Sequence, residues 1–252
     1  MKRWEPYFWP LGAAAFVLAL WQGGVMWSHT LIFPSPLNVL HGIEELAQKG
    51  LLWRSAGDSL FRVGTGFVIA LVVAIPLGVV LGFYRTVAGT VNPVIQMLRP
   101  ISPLAWIPLA IVWFGIGNIA AIFLIFLTAF FPMVVSTMNA VRNVPGIVLQ
   151  AGRNFGLSPW ALLGRVVFPA ALPRILIGLR ISLGVAWLVV VAAEMIAIDS
   201  GLGYLVIDSR NAGKRYDLVV AAMLLIGLIG LGLDTGIRCS NKLKSVSWGA
   251  LP

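Results

Sequence analysis

Long apolar blocks separated by short polar punctuation dominate this chain, as in "LFRVGTGFVIALVVAIPLGVVLGF" over residues 60–83. A bilayer core about 30 Å thick is crossed by about 20 helical residues. Six stretches meet that length, at residues 8–27, 60–83, 93–116, 118–139, 175–198 and 218–236. The first follows Lys2 and Arg3 as a signal peptide would, but its apolar run is long for one and no small-x-small cleavage site follows, so it reads as a span. The expected fold class is an all-α polytopic membrane protein, a single transmembrane domain over residues 1–252.

Two blocks break this rhythm. In "NPVIQMLRPISPLAWIPLAIVWFG", Pro93, Pro100, Pro103 and Pro108 crowd the third span. Each interior proline deletes a helix hydrogen bond, and freed carbonyls at membrane depth need protein or a water-filled cavity to cover them. The stretch reads either as a kinked packing helix or as a pathway-lining one, with Ser102 and Trp106 as candidate pathway residues. The second block, "GRNFGLSPWALLGRVVFPAALPRI" over 152–175, collects arginines, glycines and prolines in a chain that otherwise avoids charge.

That second block lies in the connection Arg142–Arg174, whose punctuation predicts two short helices. Asn143 and Pro145 begin the first, and Gly156 offers a left-handed stop. Ser158 supplies an N-cap oxygen and Pro159 the first helical position of the second, which Pro169 is expected to end. About ten residues rise only about 15 Å, so neither helix crosses the bilayer. Hinged at Gly156-Leu157, they form an elbow displaying Phe155, Leu157 and Trp160 between Arg153 and Arg165. An elbow resting on headgroups is the plainer alternative to one that docks a partner.

Elsewhere, residues 33–59 hold one short amphipathic helix carrying Leu37, Leu40, Ile43, Glu44 and Leu46, read as a cap on the outer surface. Residues 199–217 either dip back into the bilayer or lie on it.

Charge sets the orientation. With both termini in the cytoplasm, the inner segments hold Lys2, Arg3, Arg85, Arg142, Arg153, Arg165, Arg174, Arg238, Lys242 and Lys244, and the outer ones only Lys49, Arg54, Arg210, Lys214 and Arg215. The positive-inside rule favours this arrangement. The net charge of +9 does not indicate nucleic acid, because the basic residues punctuate apolar runs instead of sharing a solvated face. Cys239 is the lone cysteine, His29 and His41 stand apart, and Gly213-Lys214 lacks the upstream glycine of a phosphate loop. No metal or catalytic set is expected, and no nucleotide site.

Ionisable groups inside spans are costly and therefore informative. Arg99, about 9 Å from the inner end of the third span, either snorkels to headgroups or attracts an anion leaving the pathway. Arg180 is expected to snorkel. Glu194 in the fifth span and Arg62 in the second have matched depths, which alone suggests the hypothesis of an ion pair, one that a charge swap would restore, and the sequence does not decide it. Glu194 repels an anion and is instead a candidate either for a gate or for a proton that moves.

The run "QAGRNFGLSPWALLGRVVFP" resembles the EAA loop of ABC-importer permeases: Glu-Ala-Ala, three residues, Gly, nine residues, Ile-x-Leu-Pro. Gln150, Ala151 and Gly152 stand at the Glu-Ala-Ala positions, Gly156 at the Gly, and Val166, Phe168 and Pro169 at the Ile, Leu and Pro. Gln150 replaces the acid, and Gly152 is expected to loosen the first helix. "FPSPLNVL", "LRPISPLAWIPLAIVWFGIG", "GLRISLGVAWLVVVAAEM" and "GLGYLVIDSRN" extend the resemblance to the nitrate/sulfonate/taurine/bicarbonate branch.

The resemblance implies a type I importer permease fold and a non-catalytic homodimer in the bacterial inner membrane. Two cytoplasmic ATPase subunits bind ATP and Mg, and a periplasmic or lipid-anchored binding protein delivers the solute. It implies ATPase coupling through Gln150, Ala151, Gly152, Arg153, Phe155, Gly156, Leu157, Ser158, Pro159 and Trp160. The rival readings are an ion-coupled secondary transporter or channel and an intramembrane enzyme. The first lacks a repeat with paired broken helices, the second a nucleophile–base pair.

Overall fold

A computed structural model describes residues 5–28, 32–211 and 213–240. Lys2, Arg3, His29, Lys242 and Lys244 lie outside the described residues, which are helical and contain no strand. In chain order the helices are α1 (Glu5–Ser28), α2 (Pro36–Gln48), α3 (Leu51–Phe83), α4 (Arg85–Leu98), α5 (Ile107–Phe114), α6 (Asn118–Arg142), α7 (Gly146–Asn154), α8 (Pro159–Leu162), α9 (Phe168–Ala197), α10 (Leu202–Asn211) and α11 (Tyr216–Ser240).

Among the described residues, four helices are individually long and apolar enough to cross a membrane: α3, α6, α9 with the turns that precede it, and α11. The third expected span is not one kinked helix. It is a pair, α4 and the Pro103–Phe114 segment, bent by 83°. The prolines explain where it breaks. Pro103 and Pro108 sit in the first turns of a 3-10 turn (Pro103–Trp106) and of α5, where a missing N–H costs nothing. Ser102 before Pro103 takes the extended conformation that proline imposes on its predecessor (ψ 129°). α4 also starts at Arg85, not at residue 93, which places Arg99 about 21 Å along the helix from its start, farther than the sequence suggested.

Two other boundaries move. α3 begins at Leu51, not residue 60, directly after a left-handed Gly50 (φ 70°) closes the turn from α2. α2 matches the expected amphipathic segment, capped by the Ser35 side chain, but its buried residues are Val39, Gly42 and Leu46, while Leu37 and Leu40 face outward. Residues 199–217 carry α10, packed against α3, α9 and α11. Arg215 and then Lys49 bond to Glu45 and hold its carboxyl below the usual range. That tie between α2 and the α10–α11 corner is present above the ordinary carboxylate pKa and is lost as pH falls through the lowered folded value.

The centre of the bundle is α3 against α6, then α6 against α9. On α3, Gly66, Ala70, Ala74, Gly78 and Gly82 recur every fourth residue and are all buried. A Cβ added at Gly66 would meet Ile122 and Ile125, one at Gly78 would meet Val134 and Thr137, and one at Gly82 would meet Met138 and Val141. Positions on both helices rise together, so α3 and α6 run parallel with their backbones in close approach, the arrangement that small residues permit in lipid. Gly78→Leu should therefore separate the pair, since its Cβ would come within 2.8 Å of the Val134 carbonyl oxygen. We expect a loss of about 1–3 kcal/mol, read as a lowered thermal midpoint of the detergent-purified protein.

Candidate functional site: the elbow and the buried ion pair

The elbow forms as the punctuation predicts in its first half. α7 ends in a Schellman arrangement: Gly156 N–H donates to Arg153 O (2.9 Å) and Leu157 N–H to Gly152 O (3.2 Å), with Gly156 left-handed at φ 74°. Ser158 Oγ then accepts the Ala161 N–H (3.4 Å) and Pro159 opens α8. The chain thus turns within four residues from one helix to the next, each end satisfied locally.

The second half differs from expectation. Pro169 does not end the second helix. α8 passes through a π-turn, Leu163–Val167, straight into α9. The Phe168 N–H reaches back to Leu163 O, so the wider turn takes up the helix where Pro169 has no donor. The elbow is therefore the bent base of a spanning helix, with no loop between α8 and α9.

Gly152 does not loosen α7. It is buried, and a Cβ there would collide with Leu162 Cδ1, so glycine permits the closest approach of α7 to α8. Leu157 packs inward with Leu149 and Leu163 on a core containing Leu162 and Val167. By contrast Phe155 is 87% exposed, Trp160 70% and Ile147 75%. Gln150, Ala151, Arg153, Gly156, Ser158 and Pro159 are exposed beside them. The arrangement presents aromatic anchors on a rigid support, and Arg153 also lines a cavity against the α3–α4 corner.

At the opposite ends of α3 and α9, Arg62 and Glu194 do pair, with Arg62 Nη1 2.6 Å from Glu194 Oε1 and side chains 2% and 0% exposed. The pair belongs to a larger node. Ser59 Oγ lies 2.8 Å from both carboxylate oxygens, and Gly203 N–H donates to Oε2 at 3.0 Å. Arg62 donates onward to Asn118 Oδ1 (2.8 Å), Ser200 O (2.9 Å) and Ser200 Oγ. Gly201, at φ 102°, is required because a Cβ would fall on the Glu194 carboxylate. The node joins α3, the start of α6, the end of α9 and the corner leading to α10.

The structure does not bring the four pathway candidates together. Arg99 and Ser102 are exposed at the break between α4 and α5. Trp106 is half-buried on a cluster that includes Ala110, Leu124 and Ala193, its ring 6.5 Å from that of Trp113. Glu194 is enclosed in the node. Arg180 does not snorkel alone: it forms a two-point contact with Asp234 of α11, with Nη2 2.9 Å from Oδ2, and Arg238 joins at 3.1 Å. Asp234 was missed, although it carries the same signal as Glu194, an acid in an apolar run opposite a base. Among the described residues no three His, Cys, Asp or Glu side chains group as a metal site.

Comparison with known proteins gives a consistent picture. The profile of the family described as binding-protein-dependent transport system inner membrane component matches residues 74–242. A Methanocaldococcus jannaschii protein, named only to the level of an ABC transporter permease, is 45% identical over 80% of this chain and 76% of its own. The taurine transport system permease protein of Escherichia coli is 36% identical over 92% of this chain and 86% of its own. The nitrate import permease protein of Synechococcus elongatus is 34% identical over 90% and 86%. A solved chain of the MetNI methionine ABC transporter, inward facing, superposes with a TM-score of 0.62 at 23% identity, covering 75% of this chain and 95% of that one. At that identity the likeness concerns the fold.

Proposed function

Since the chain belongs to the family of binding-protein-dependent transport system inner membrane components, we propose that it works as one half of a permease dimer driven through its elbow by separate ATPases. The chain is a permease subunit of an ABC importer with a type I importer fold. Its proposed cargo is a small oxyanion, nitrate or an alkyl sulfonate such as taurine, with bicarbonate as a further member of the class. A periplasmic or lipid-anchored binding protein delivers it. ATP and Mg are held by two ATPase subunits on the side of the elbow, which is the cytoplasmic side, so that both termini are cytoplasmic.

The observation that carries this reading is the elbow: a locally capped, continuous extension of α9 that exposes Phe155 and Trp160. Aromatic anchors on a rigid base suit insertion into a partner's groove. The α4–α5 break supports the dimer. Pro100, Ile101, Ser102, Leu104 and Ala105 are exposed there, and irregular backbone at membrane depth requires protein or water against it. A second copy with a water-filled pathway between supplies both, with Arg99, Ser102 and Trp106 along it. Glu194 serves this pathway from behind, by fixing the outer ends of α3 and α9.

Proteoliposomes containing this chain, its ATPases and its binding protein provide the test. ATP inside the reach of the ATPases should drive uptake of radiolabelled taurine or nitrate, abolished when any one component is omitted. Uptake by this chain alone under an ion gradient would overturn the reading.

A further inference from the structure

A cavity of about 910 Å³ lies between the α3–α4 corner, the end of α6 and α7. Arg85, Arg142 and Arg153, from three different elements, line it together with Tyr84, Thr86 and Asn92, and no Asp or Glu does. Among the described residues none of the three arginines forms a salt bridge. Arg142 makes one long contact, from Nη2 to Leu81 O at 3.4 Å. Elsewhere in the chain Arg62, Arg180, Arg215 and Arg238 each meet a carboxylate. Arg54, Arg99, Arg165, Arg174 and Arg210 likewise meet no carboxylate among the described residues, so what sets this space apart is that three such guanidinium groups, all exposed, line it together.

We propose that this cavity binds a phosphate group, and that the bound phosphate ties the elbow to the body of the permease. Guanidinium forks match the oxygens of a phosphate in two-point contacts, and three positive charges suit a group carrying one to two negative ones. The volume is that of a site for a headgroup or nucleotide-sized molecule, far larger than nitrate needs. The first turn of α4 adds to the attraction, having neither an acid nor a capping side chain. The phosphate comes from an anionic lipid headgroup of the adjoining leaflet or from a soluble phosphate compound. Because Arg153 belongs to the elbow and Arg85 and Arg142 to the α3–α4 corner and α6, occupancy restrains the elbow.

Two arms separate the sources. In the first, inorganic pyrophosphate is titrated into the purified full-length protein by calorimetry. In the second, native mass spectrometry compares the protein in vesicles of phosphatidylglycerol with vesicles of phosphatidylcholine. Retention of pyrophosphate assigns a soluble ligand, and selective retention of phosphatidylglycerol assigns the lipid. In either case R85Q/R142Q should weaken binding by at least about tenfold, and R165Q, exposed outside the cavity, should leave it unchanged. If the double variant fails to insert, R85Q alone carries the comparison, with an expected loss of about fivefold or more. The proposal is overturned if neither probe binds, if binding survives the cavity variants, or if R165Q weakens it equally.

Discussion

Glu194→Ala is expected to lower stability by about 3–5 kcal/mol, the cost of leaving a buried charge without its partner. Arg62 is 1% exposed, so its charge is left buried. Loss of the carboxylate also orphans the Gly203 N–H and a Ser59 contact, each a desolvated group with no replacement partner. Thermal unfolding of the detergent-purified protein should show this as a shift well beyond that of a control such as Ser158→Ala, which removes one exposed cap worth about 1 kcal/mol. A shift no larger than the control's would mean that the node contributes little.

The surroundings also reverse the expectation that a charge swap restores the pair. Gly203 and Ser59 donate to the carboxylate, while Asn118 Oδ1 and the Ser200 oxygens accept from the guanidinium. Exchanging the residues would place a guanidinium against the Gly203 N–H and a carboxylate against the Ser200 carbonyl, the two partners whose polarity is fixed, whereas the Ser59 and Ser200 hydroxyls and the Asn118 amide can turn. Arg62→Glu/Glu194→Arg should therefore be as unstable as either single change, even though the pair is real.

Gly156→Val is expected to leave the protein inserted yet cut transport at least about tenfold, with ATP hydrolysis by the partner subunits continuing. A Cβ at this position meets nothing within 4 Å, so the bundle itself is undisturbed. The cost is in the backbone: φ 74° is a left-handed conformation that a non-glycine residue adopts at about 1–2 kcal/mol, and a β-branched one with more difficulty. Relief of that strain breaks the two closing hydrogen bonds of α7 and changes its angle to α8. Gly156→Asn, which tolerates the left-handed region better, should fall between valine and glycine. Uptake and hydrolysis measured in the same proteoliposomes check the ratio; equal loss of both, or of neither, would contradict the role given to this turn.

The elbow was legible because its signals are local: a left-handed glycine, a serine cap and a proline at the first helical position act within a few residues. The Arg62–Glu194 pair was legible because charges are rare enough in these spans for matched depth to suggest a partner. The continuity of α8 with α9 was not legible. Pro169 reads as a stop, and a π-turn that shifts the hydrogen bonding around it leaves no mark in apolar periodicity. Gly152 misled for a related reason: intrinsic propensity makes it a helix breaker, whereas packing on Leu162 uses its lack of a side chain. The small-residue stripe from Gly66 to Gly82 stands in the sequence at regular spacing, but its partner on α6 is defined only by the tertiary fold.

The central claim, that a separate motor grips this chain by the elbow, is tested most directly by site-directed crosslinking. With Cys239 replaced, Trp160→Cys in the assembled transporter should crosslink to the ATPase subunit in high yield, and the yield should change between nucleotide-free and ATP-bound states. A cysteine at position 160 that reaches no ATPase in either state, or that is shielded from aqueous reagents as a lipid-buried site would be, contradicts the account.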